Sequence, residues 1–418
     1  MTHVTLARIR ATQGYVAEMK YREVTLTWRP RPEALGRRRA RRGGSYTAYV
    51  PEPIADLDPV LPSSLLPLVL GAEDAVRAVG EGVPASLNLE ALARQLLRAE
   101  SVASSRIEGH LISHRRLAKA SFGGAADVNA QAVLGNIAGM ERALALAVEP
   151  GVFTTTELQA VHRAMFEGTR DEHLAGLIRT EQNWIGGEAS SPHDAEFVPP
   201  PAEEVPGLLD DLCAFLSRGD LPPVLQAAIA HVQFETIHPF HDGNGRVGRA
   251  LIHVVLRRRS VAGRILPPVS LVLAARADEY VKGLTSFRYR DEEDWYELFS
   301  RALEEAARAS DAFAQQVVEL QERWREAAGR PRRGSAAARL IERLPSHPIV
   351  NLQTAMALTG ASDEAVRLAL NRLEAAGVLR QTTVGRRNRA FECMGLFALL
   401  DELERSVGPR ARTPAPTR

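Results

Sequence analysis

Apolar residues recur at three- and four-residue spacing through most of the chain, which predicts a mainly α-helical protein. Between residues 126 and 322 the pattern indicates a helical bundle, in which one amphipathic helix follows another. Helices are predicted at 133–147, 156–167, 203–216 and 224–237, and from Arg246 onward. Thr154 and Glu157 provide N-cap chemistry before the second of these helices.

The periodicity changes in two short segments inside this bundle. Residues 179–187 and 196–200 predict two short strands, and the polar residues 188–195 predict the loop that joins them. The predicted β-hairpin is the only strand structure that we expect in the bundle.

A different arrangement is predicted after residue 322. Glycine, proline and arginine dominate 323–335, which predicts a linker. Beyond it, three short helices are expected at 336–344, 352–358 and 363–376, followed by strands at 378–382 and 390–393. Three helices with a two-stranded wing resemble a winged helix-turn-helix domain, which we place at 336–405. Residues 406–418 are predicted to be a disordered tail.

The first 45 residues differ from the rest in showing little periodicity. They contain a run of arginines at 37–42 and are predicted to be a mobile basic arm. Contact with nucleic acid and simple solvation of the charges are both open for this run. Residues 46–125 are rich in helix-forming sequence and are treated as an extension that precedes the bundle.

Composition narrows the class of protein. The 418 residues include 52 basic and 51 acidic side chains, so the net charge of +1 favours no bulk attraction to nucleic acid or to a membrane. The two cysteines, Cys213 and Cys393, have no metal-binding or disulfide spacing, which favours a reducing compartment. Neither a membrane-spanning run nor a secretory signal is seen, so we expect a cytoplasmic protein.

The richest chemistry lies in residues 238–249. Gly243, Asn244 and Gly245 predict a flexible turn at the N-terminus of a helix, where free N–H groups and the helix dipole attract anions. Arg246 and Arg249 are three residues apart on one helical face, so both can reach phosphate groups bound at that end.

Two further side chains in the same segment suggest catalysis. Asp242 precedes the turn and is placed to hold Mg²⁺, which binds one or two carboxylates together with substrate phosphates. His238 can accept a proton at neutral pH, because the ordinary pKa of an imidazole is about 6.5. A zinc site formed by His231, His238 and His241 is disfavoured, since their spacing fits no recognised ligand set.

The segment resembles the signature of the Fic family, His-x-Phe-x-(Asp/Glu)-Gly-Asn-Gly-Arg-x-x-Arg, at every fixed position. The resemblance implies a Fic-type helical bundle that transfers AMP from ATP to a protein hydroxyl, with His238 as general base and Mg²⁺ on Asp242. Relatives also transfer other groups, so the transferred moiety stays open. The resemblance assigns ATP binding to Gly243, Asn244, Gly245, Arg246, Val247, Gly248 and Arg249.

The same resemblance extends to the hairpin and to one more arginine. The predicted hairpin resembles the Fic flap, whose edge pairs with an extended segment of the target protein. We expect the chain itself to be one such target. Arg288 shares a helical face with Tyr280 and Leu284, near where relatives contact adenine, and is therefore a further candidate for ATP binding.

A short upstream segment resembles the inhibitory helix of the family, (Ser/Thr)-x-x-x-Glu-(Gly/Asn). Ser104, Glu108 and Gly109 occupy its fixed positions. The resemblance implies that Glu108 pairs with Arg249 and prevents productive binding of the ATP γ-phosphate.

The alternative hypothesis is a DNA-binding transcriptional regulator whose Fic site senses nucleotide or modifies the chain itself. Arg367 and Asn371 lie one turn apart on the presumed recognition helix and could face a DNA groove. Arg386, Arg387 and Arg389 in the wing would suit phosphates. Docking of a partner protein or formation of a homodimer through the same domain is equally open.

Overall fold

The computed structural model describes residues 21–29, 43–81, 89–123, 127–187, 191–289, 292–384 and 388–407. Helices dominate, as predicted. The helices are α1 (Leu66–Ala78), α2 (Leu89–Ile107), α3 (His114–Ser121), α4 (Val128–Ala147), α5 (Thr155–Phe166), α6 (Val205–Leu216), α7 (Pro223–Ile237), α8 (Asn244–Arg258), α9 (Val269–Ala275), α10 (Ala277–Arg288), α11 (Glu292–Ala327), α12 (Ala336–Arg343), α13 (Leu352–Thr359), α14 (Asp363–Ala375) and α15 (Leu396–Ser406). The strands are β1 (Tyr21–Trp28), β2 (Gly44–Pro51), β3 (Ile349–Val350), β4 (Leu379–Val384) and β5 (Asn388–Cys393). No helix in the described ranges is both long enough and apolar enough to cross a membrane.

The chain forms two compact units that combine distant parts of the sequence. Unit 1 comprises the described residues of Met1–Val69, Arg142–Arg259 and Val281–Leu298. Unit 2 comprises those of Leu70–Glu141, Ser260–Tyr280 and Phe299–Arg418. The linear domain boundaries predicted above stay predictions.

Unit 1 is built around α7. Every residue of this helix from Val224 to Ile237 is buried, which is typical of a helix enclosed on all sides. It contacts α6, α8 and β2. Helix α5 begins with the predicted cap: the Glu157 carboxylate accepts from the Thr154 N–H at 2.7 Å, and Thr154 caps the helix in return. Because α7 packs against α6, α8 and β2, the position of its last residues is fixed.

An N-terminal hairpin in unit 1 corrects the prediction for the first 45 residues. Strands β1 and β2 pair antiparallel from Tyr21 opposite Pro51 to Trp28 opposite Gly44. The prediction of a mobile arm is wrong for Tyr21–Trp28, where larger apolar residues alternate with threonines and form a period-two pattern that we missed. Residues 1–20 and the arginine run lie outside the described residues.

The two predicted flap segments pair, but less extensively than two strands would. Among their described residues, 179–187 and 196–200 meet in one antiparallel bridge between Ile185 and Phe197. Three consecutive prolines, 199–201, have no N–H to donate, and Gly186 and Gly187 turn the chain with positive φ. On its other side this segment joins the hairpin, because the Tyr49 N–H donates to the Val198 carbonyl at 2.9 Å.

Unit 2 contains α2 in a buried position. Val102, on this helix, belongs to an apolar cluster that includes Leu117 and Val133. The Asn136 amide donates to the Ser101 carbonyl at 2.9 Å and to Ser105 Oγ at 3.1 Å. Helix α2 is thus held along its length by packing and by buried hydrogen bonds.

The C-terminal elements of unit 2 follow the predicted order. Helices α12, α13 and α14 and strands β4 and β5 lie where the sequence predicts them, and β3 adds a third strand in the order β3-β5-β4. Two features differ: α11 continues to Ala327, so the predicted linker begins as helix, and α15 follows the last strand. Leu396, Leu400 and Leu403 give α15 a helical apolar pattern, although no helix was predicted there. Residues 408–418, most of the predicted tail, lie outside the described residues.

Candidate active site

One loop joins the ends of two buried helices and carries the segment singled out from the sequence. His238 follows α7 directly and has a left-handed backbone, with φ 49° and ψ 60°. Gly243, with φ 79°, precedes α8 and forms its N-cap. One short loop therefore joins His238 to the N–H groups at the start of α8, as the sequence predicts.

Asn244 fixes the shape of this loop. Its Oδ1 accepts from the Phe240 N–H at 2.8 Å, and its Nδ2 donates to the Phe240 carbonyl at 2.9 Å. The side chain is almost fully buried. Its carboxamide is therefore used within the protein, and Asn244 shapes the turn rather than extending its side chain toward a ligand.

Two glycines of the segment are required for different reasons. A Cβ atom at Gly243 would lie 2.7 Å from the Phe166 ring, and the positive φ already disfavours other residues. A Cβ atom at Gly248 would lie 2.2 Å from Glu235 Oε1 on α7. Gly248 thus permits close packing of α8 on α7, while Gly243 permits the turn.

His162, on α5, packs against the loop that joins α7 to α8, and this contact was not predicted from the sequence. Its ring stacks on Phe240 with 3.9 Å between centroids and on Phe166 with 4.6 Å. Its Nδ1 accepts from the Gly176 N–H at 2.8 Å, and its Nε2 lies 3.0 Å from the Asp242 carbonyl. Burial lowers the pKa of His162 to about 4, so the ring is neutral and donates to that carbonyl from Nε2.

Arg179 joins the flap segment to the loop. Its guanidinium donates to the carbonyls of His238 at 2.9 Å, Pro200 at 2.6 Å and Glu181 at 3.1 Å. Asn183 adds a bond of 3.0 Å to the Phe240 carbonyl. Burial lowers the pKa of Arg179 to about 10, so it stays charged at neutral pH. These contacts hold the backbone of the candidate base, and sequence spacing alone gave no sign of them.

The predicted cationic side chains are near the turn and are buried. Arg246 Nη2 lies 3.5 Å from Asp242 Oδ1, and the Arg246 guanidinium lies 5.2 Å from the centre of the Phe166 ring. Arg249, like Val247, is 1% exposed. The side chain of Asp242 is 56% exposed, and its Oδ1 accepts from the Gly243 N–H at 2.6 Å. The carboxylate is therefore held at the open side of the turn.

The exposed carboxylate of Asp242 could serve as one protein ligand of a cation. In the part of the chain that the structure describes, no group of three or more His, Cys, Asp or Glu side chains could hold a metal ion. Burial lowers the pKa of His231 to about 3. Mg²⁺, which usually takes one or two carboxylates and completes its shell with water and phosphate, fits this donor set.

Arg288 lies in unit 1 beside the end of α7. Its Nε donates to Thr236 Oγ1 at 3.1 Å, and its guanidinium lies 3.9 Å from the centre of the Phe197 ring. The Arg288 carbonyl accepts from the Tyr49 hydroxyl at 2.6 Å. Arg288 is thus buried, and it bonds to Thr236, which lies two residues before His238 in the sequence. The N-terminal hairpin helps to hold Arg288 through Tyr49.

The predicted inhibitory motif closes α2 in unit 2. The Gly109 N–H donates to the Arg106 carbonyl at 2.9 Å and the His110 N–H to the Ser105 carbonyl at 3.0 Å, which together form a Schellman motif. Gly109 has φ 84°, as that motif requires. Ser104 is fully buried, whereas Glu108 is exposed at the helix C-cap.

The residues assigned to DNA binding are only partly described. Arg367 on α14 is exposed and pairs with Asp363 one turn earlier, with Nη2 to Oδ2 at 3.2 Å. Asn371 is exposed on the same helix. Arg386, Arg387 and the side chain of Arg389 lie outside the described residues.

Comparison with known proteins agrees with the resemblance. Residues 152–256 match the model of the Fic/DOC family. A protein adenylyltransferase of Caenorhabditis elegans is 33% identical over 138 residues, which are 32% of this chain and 24% of that protein. A probable protein adenylyltransferase of Aquifex aeolicus is 44% identical over 63 residues, 15% of this chain and 20% of that protein. This chain thus spans about a quarter of the length of the curated relatives it matches.

A solved structure shows that the fold is shared more widely than the sequence. The crystal structure of a Fic family protein from Desulfovibrio desulfuricans covers 80% of this chain and 97% of its own, with a TM-score of 0.51 and 21% identity. At that identity the likeness concerns the fold alone.

Proposed function

From the Fic/DOC domain at residues 152–256, we propose that this chain is a protein adenylyltransferase, which transfers AMP from ATP to a hydroxyl side chain of a protein. The observation that carries the proposal is one loop in which His238 ends α7 and a glycine turn begins α8. The names of the relatives, which are protein adenylyltransferases, give it further support.

In the proposed reaction, His238 removes a proton from the target hydroxyl. The hydroxyl oxygen forms a bond to the α-phosphorus, the bond from that phosphorus to the oxygen that bridges to the β-phosphate breaks, and pyrophosphate leaves. The proton passes from the imidazolium to solvent. Because Arg179 holds the His238 carbonyl, the imidazole needs little reorganisation before it acts.

Other residues of the loop are proposed to hold the triphosphate. Asp242 would bind Mg²⁺, which would offset the negative charge of the phosphates. The N–H groups in the first turn of α8 and the side chains of Arg246 and Arg249 supply donors at the same place. Arg288 lies at the other end of the loop, where we assign it to the nucleoside.

The target segment is proposed to dock by strand addition at Ile185. One edge of residues 196–200 already pairs with β2 through Val198, and the other pairs with Ile185 through Phe197. The outer edge of the chain at Ile185 is therefore where an extended target backbone could extend the pairing. Such pairing reads little sequence, which suits a site that also modifies its own chain.

We further propose that Glu108 restrains the activity by pairing with Arg249. Support comes from the motif Ser104–Glu108–Gly109 and from the Schellman end of α2, which fixes the backbone of Glu108. Glu108 belongs to unit 2 and Arg249 to unit 1, so the pair itself stays a prediction. The exposure of Glu108 favours a contact that a change in its surroundings could release.

Incubation with α-labelled ATP and Mg²⁺ tests the proposal. We expect Glu108→Gly to raise labelling of the chain above that of the wild type, and His238→Ala to abolish it in both backgrounds. Glu81→Gly, at an exposed turn, controls for the introduced glycine and should leave labelling unchanged. Mass spectrometry of the product should show an added adenylyl group.

Three outcomes would contradict separate parts of the proposal. Equal labelling of the wild type and Glu108→Gly would remove the brake. Labelling that survives in His238→Ala would remove the base. No labelling in any variant, together with salt-dependent binding of duplex DNA, would favour the transcriptional regulator.

The described part of α14 gives the DNA-binding alternative little support. Asp363 neutralises Arg367, and Glu364 adds a further negative charge to the first turn of the helix. Leu368, between the two residues predicted to contact DNA, is 65% exposed. We propose that the C-terminal module at 336–405 is a winged-helix domain that contacts protein through this helix.

A further inference from the structure

A single carboxylate of the C-terminal module contacts the inhibitory motif. Glu404, on α15, accepts from Arg106 Nη2 through both of its oxygens, at 2.8 and 2.7 Å. Its Oε1 also lies 2.8 Å from His114 Nε2. All three residues belong to unit 2. Arg106 is in the last turn of α2, and His114 begins α3, so Glu404 joins both ends of the segment that contains Glu108.

This contact is partly buried. The side chains of Glu404 and His114 are 18% and 4% exposed. Burial by itself would raise the pKa of Glu404, but the hydrogen bonds from His114 and Arg106 outweigh it and hold this pKa below its usual value. The carboxylate is therefore ionised at neutral pH, and charge-assisted hydrogen bonds of this kind are stronger than neutral ones.

A second contact strengthens the same connection. Arg115 Nε donates to Glu392 Oε1 on β5 at 3.0 Å, and its guanidinium lies 5.4 Å from the centre of the Phe397 ring on α15. The carboxylate of Glu392 is buried and also contacts Arg380 at 3.3 Å. Helix α3 is thus attached to the sheet and to the last helix of the C-terminal module.

Glu108 lies in the sequence between Arg106 and His114, the two residues that Glu404 contacts, so these contacts constrain its backbone. Arg106 lies two residues before it and His114 six residues after it, and the segment between them is closed by the two Schellman hydrogen bonds. Release of both ends would leave the exposed Glu108 on a less constrained backbone. The contacts with α15 therefore add to the constraint that the Schellman motif places on the backbone of Glu108.

We propose that Glu404 is a positioning residue for the inhibitory motif, through which the C-terminal module sets how strongly Glu108 restrains transfer. This inference rests on the proposed adenylyltransferase activity and its brake. A partner that displaces α15 would raise the activity without contacting the catalytic loop.

The test uses the full chain and compares Glu404→Gln with Glu402→Gln, an exposed neighbour on the same helix. We expect Glu404→Gln to raise AMP incorporation by roughly 5-fold or more, within the usual range of coupling between sites, and Glu402→Gln to leave it unchanged. Arg106→Gln should reproduce the increase from the opposite side of the contact. Because Glu404→Gln, Arg106→Gln and Glu108→Gly are all expected to release the same brake, neither Glu404→Gln nor Arg106→Gln should raise the activity further when combined with Glu108→Gly.

Hydrogen exchange of residues 100–115 supplies a readout that does not depend on activity. We expect faster exchange there in Glu404→Gln than in Glu402→Gln, with unchanged exchange in α7 and α8. An active Glu108→Gly beside an unchanged Glu404→Gln would overturn the inference while leaving the proposed function intact. An inactive Glu108→Gly would overturn the brake, and unchanged exchange at 100–115 would then overturn the positioning role as well. If Glu404→Gln does not fold, Arg106→Gln takes its place in each comparison.

Discussion

His162 shows how a residue outside the loop at 238–243 can determine the geometry of that loop. It stacks between two rings and bonds to the backbone of Asp242, the residue assigned to Mg²⁺. Sequence pattern does not single out His162, because a lone histidine on an apolar helical face is most simply a core residue. Its role depends on Phe240 and Asp242, which are about eighty residues away in the chain.

The lowered pKa of His162 predicts a stability that depends on pH. Between pH 6.5 and about 4 the unfolded chain binds a proton at this residue and the folded chain does not, so the free energy of unfolding falls as pH is lowered. The full effect is about 3 kcal/mol at 1.36 kcal/mol per pKa unit. Urea unfolding at pH 7.0, 5.5 and 4.5 should show this loss in the wild type. Between pH 7.0 and 4.5 the loss in His162→Gln should be smaller than in the wild type by about 2 kcal/mol, because this interval covers about two pKa units of the difference. Equal losses would contradict the assignment of a buried neutral ring.

Gly243 predicts a second outcome at the scale of single residues. Gly243→Ala should destabilise the protein by about 1–3 kcal/mol, because it combines positive φ with a clash against Phe166. Gly207→Ala is the matched control: this glycine lies within α6, has nothing within 4 Å of its Cβ position, and should gain about 0.5–1 kcal/mol. Thermal unfolding of both variants measures the difference. A stable Gly243→Ala would show that the turn tolerates a side chain.

Among the elements, the helices were predictable and most of the strands were not. Periodic apolar positions located α5 to α8 to within about two residues, because each helix buries one continuous face or all of its faces. The pairing of the flap segments is limited to one bridge among the described residues, because the prolines and the glycines with positive φ prevent a longer ladder. The N-terminal hairpin was not predicted, because the charged run that follows β1 in the sequence is typical of a solvated arm. Strand pairing depends on partners that are distant in the chain, as Tyr49 and Val198 are.

Arg179 connects the flap segment to the loop that follows α7, because its guanidinium donates to the carbonyls of both Pro200 and His238. Arg179→Met removes the guanidinium donors, so the carbonyls of Pro200 and Ile237 would each lose a hydrogen bond. Gln182 still donates to Pro200, and the loss at Ile237 would cost about 1–3 kcal/mol if this buried acceptor stays unsatisfied. We expect lower stability and lower AMP transfer, since the backbone of His238 is released at the same time. Arg170→Met, on an exposed pair with Asp171, should change neither quantity. Unfolding and transfer assays on both variants provide the comparison.

At the scale of the whole molecule, each compact unit contains one buried thiol. Cys213 on α6 belongs to unit 1 and Cys393 on β5 to unit 2. Burial raises the pKa of Cys213 to about 12 and that of Cys393 further, so neither thiol should react in the folded protein. Composition and length could not reveal these units, because each combines segments that are far apart in the sequence.

The two thiols therefore report the unfolding of the two units separately. Pulse alkylation across a urea series, read by peptide mass spectrometry, should give a labelling midpoint for each cysteine. ATP with Mg²⁺ should raise the midpoint of Cys213, since a ligand stabilises the state that binds it. Gly243→Ala should remove that increase. Labelling of Cys213 in the absence of urea would contradict its burial.

The pair of hydrogen bonds between Asn244 and Phe240 has a kinetic consequence. Because the buried side chain of Asn244 already closes the turn, the conformational entropy of the turn is lost when the chain folds and not when a nucleotide binds. A triphosphate would meet amide groups that already point toward it, so its association rate would follow diffusion and ionic strength rather than loop rearrangement. An Asn244→Ala chain would have to order the turn at every encounter, and stopped-flow traces would then become slow and independent of nucleotide concentration at saturation.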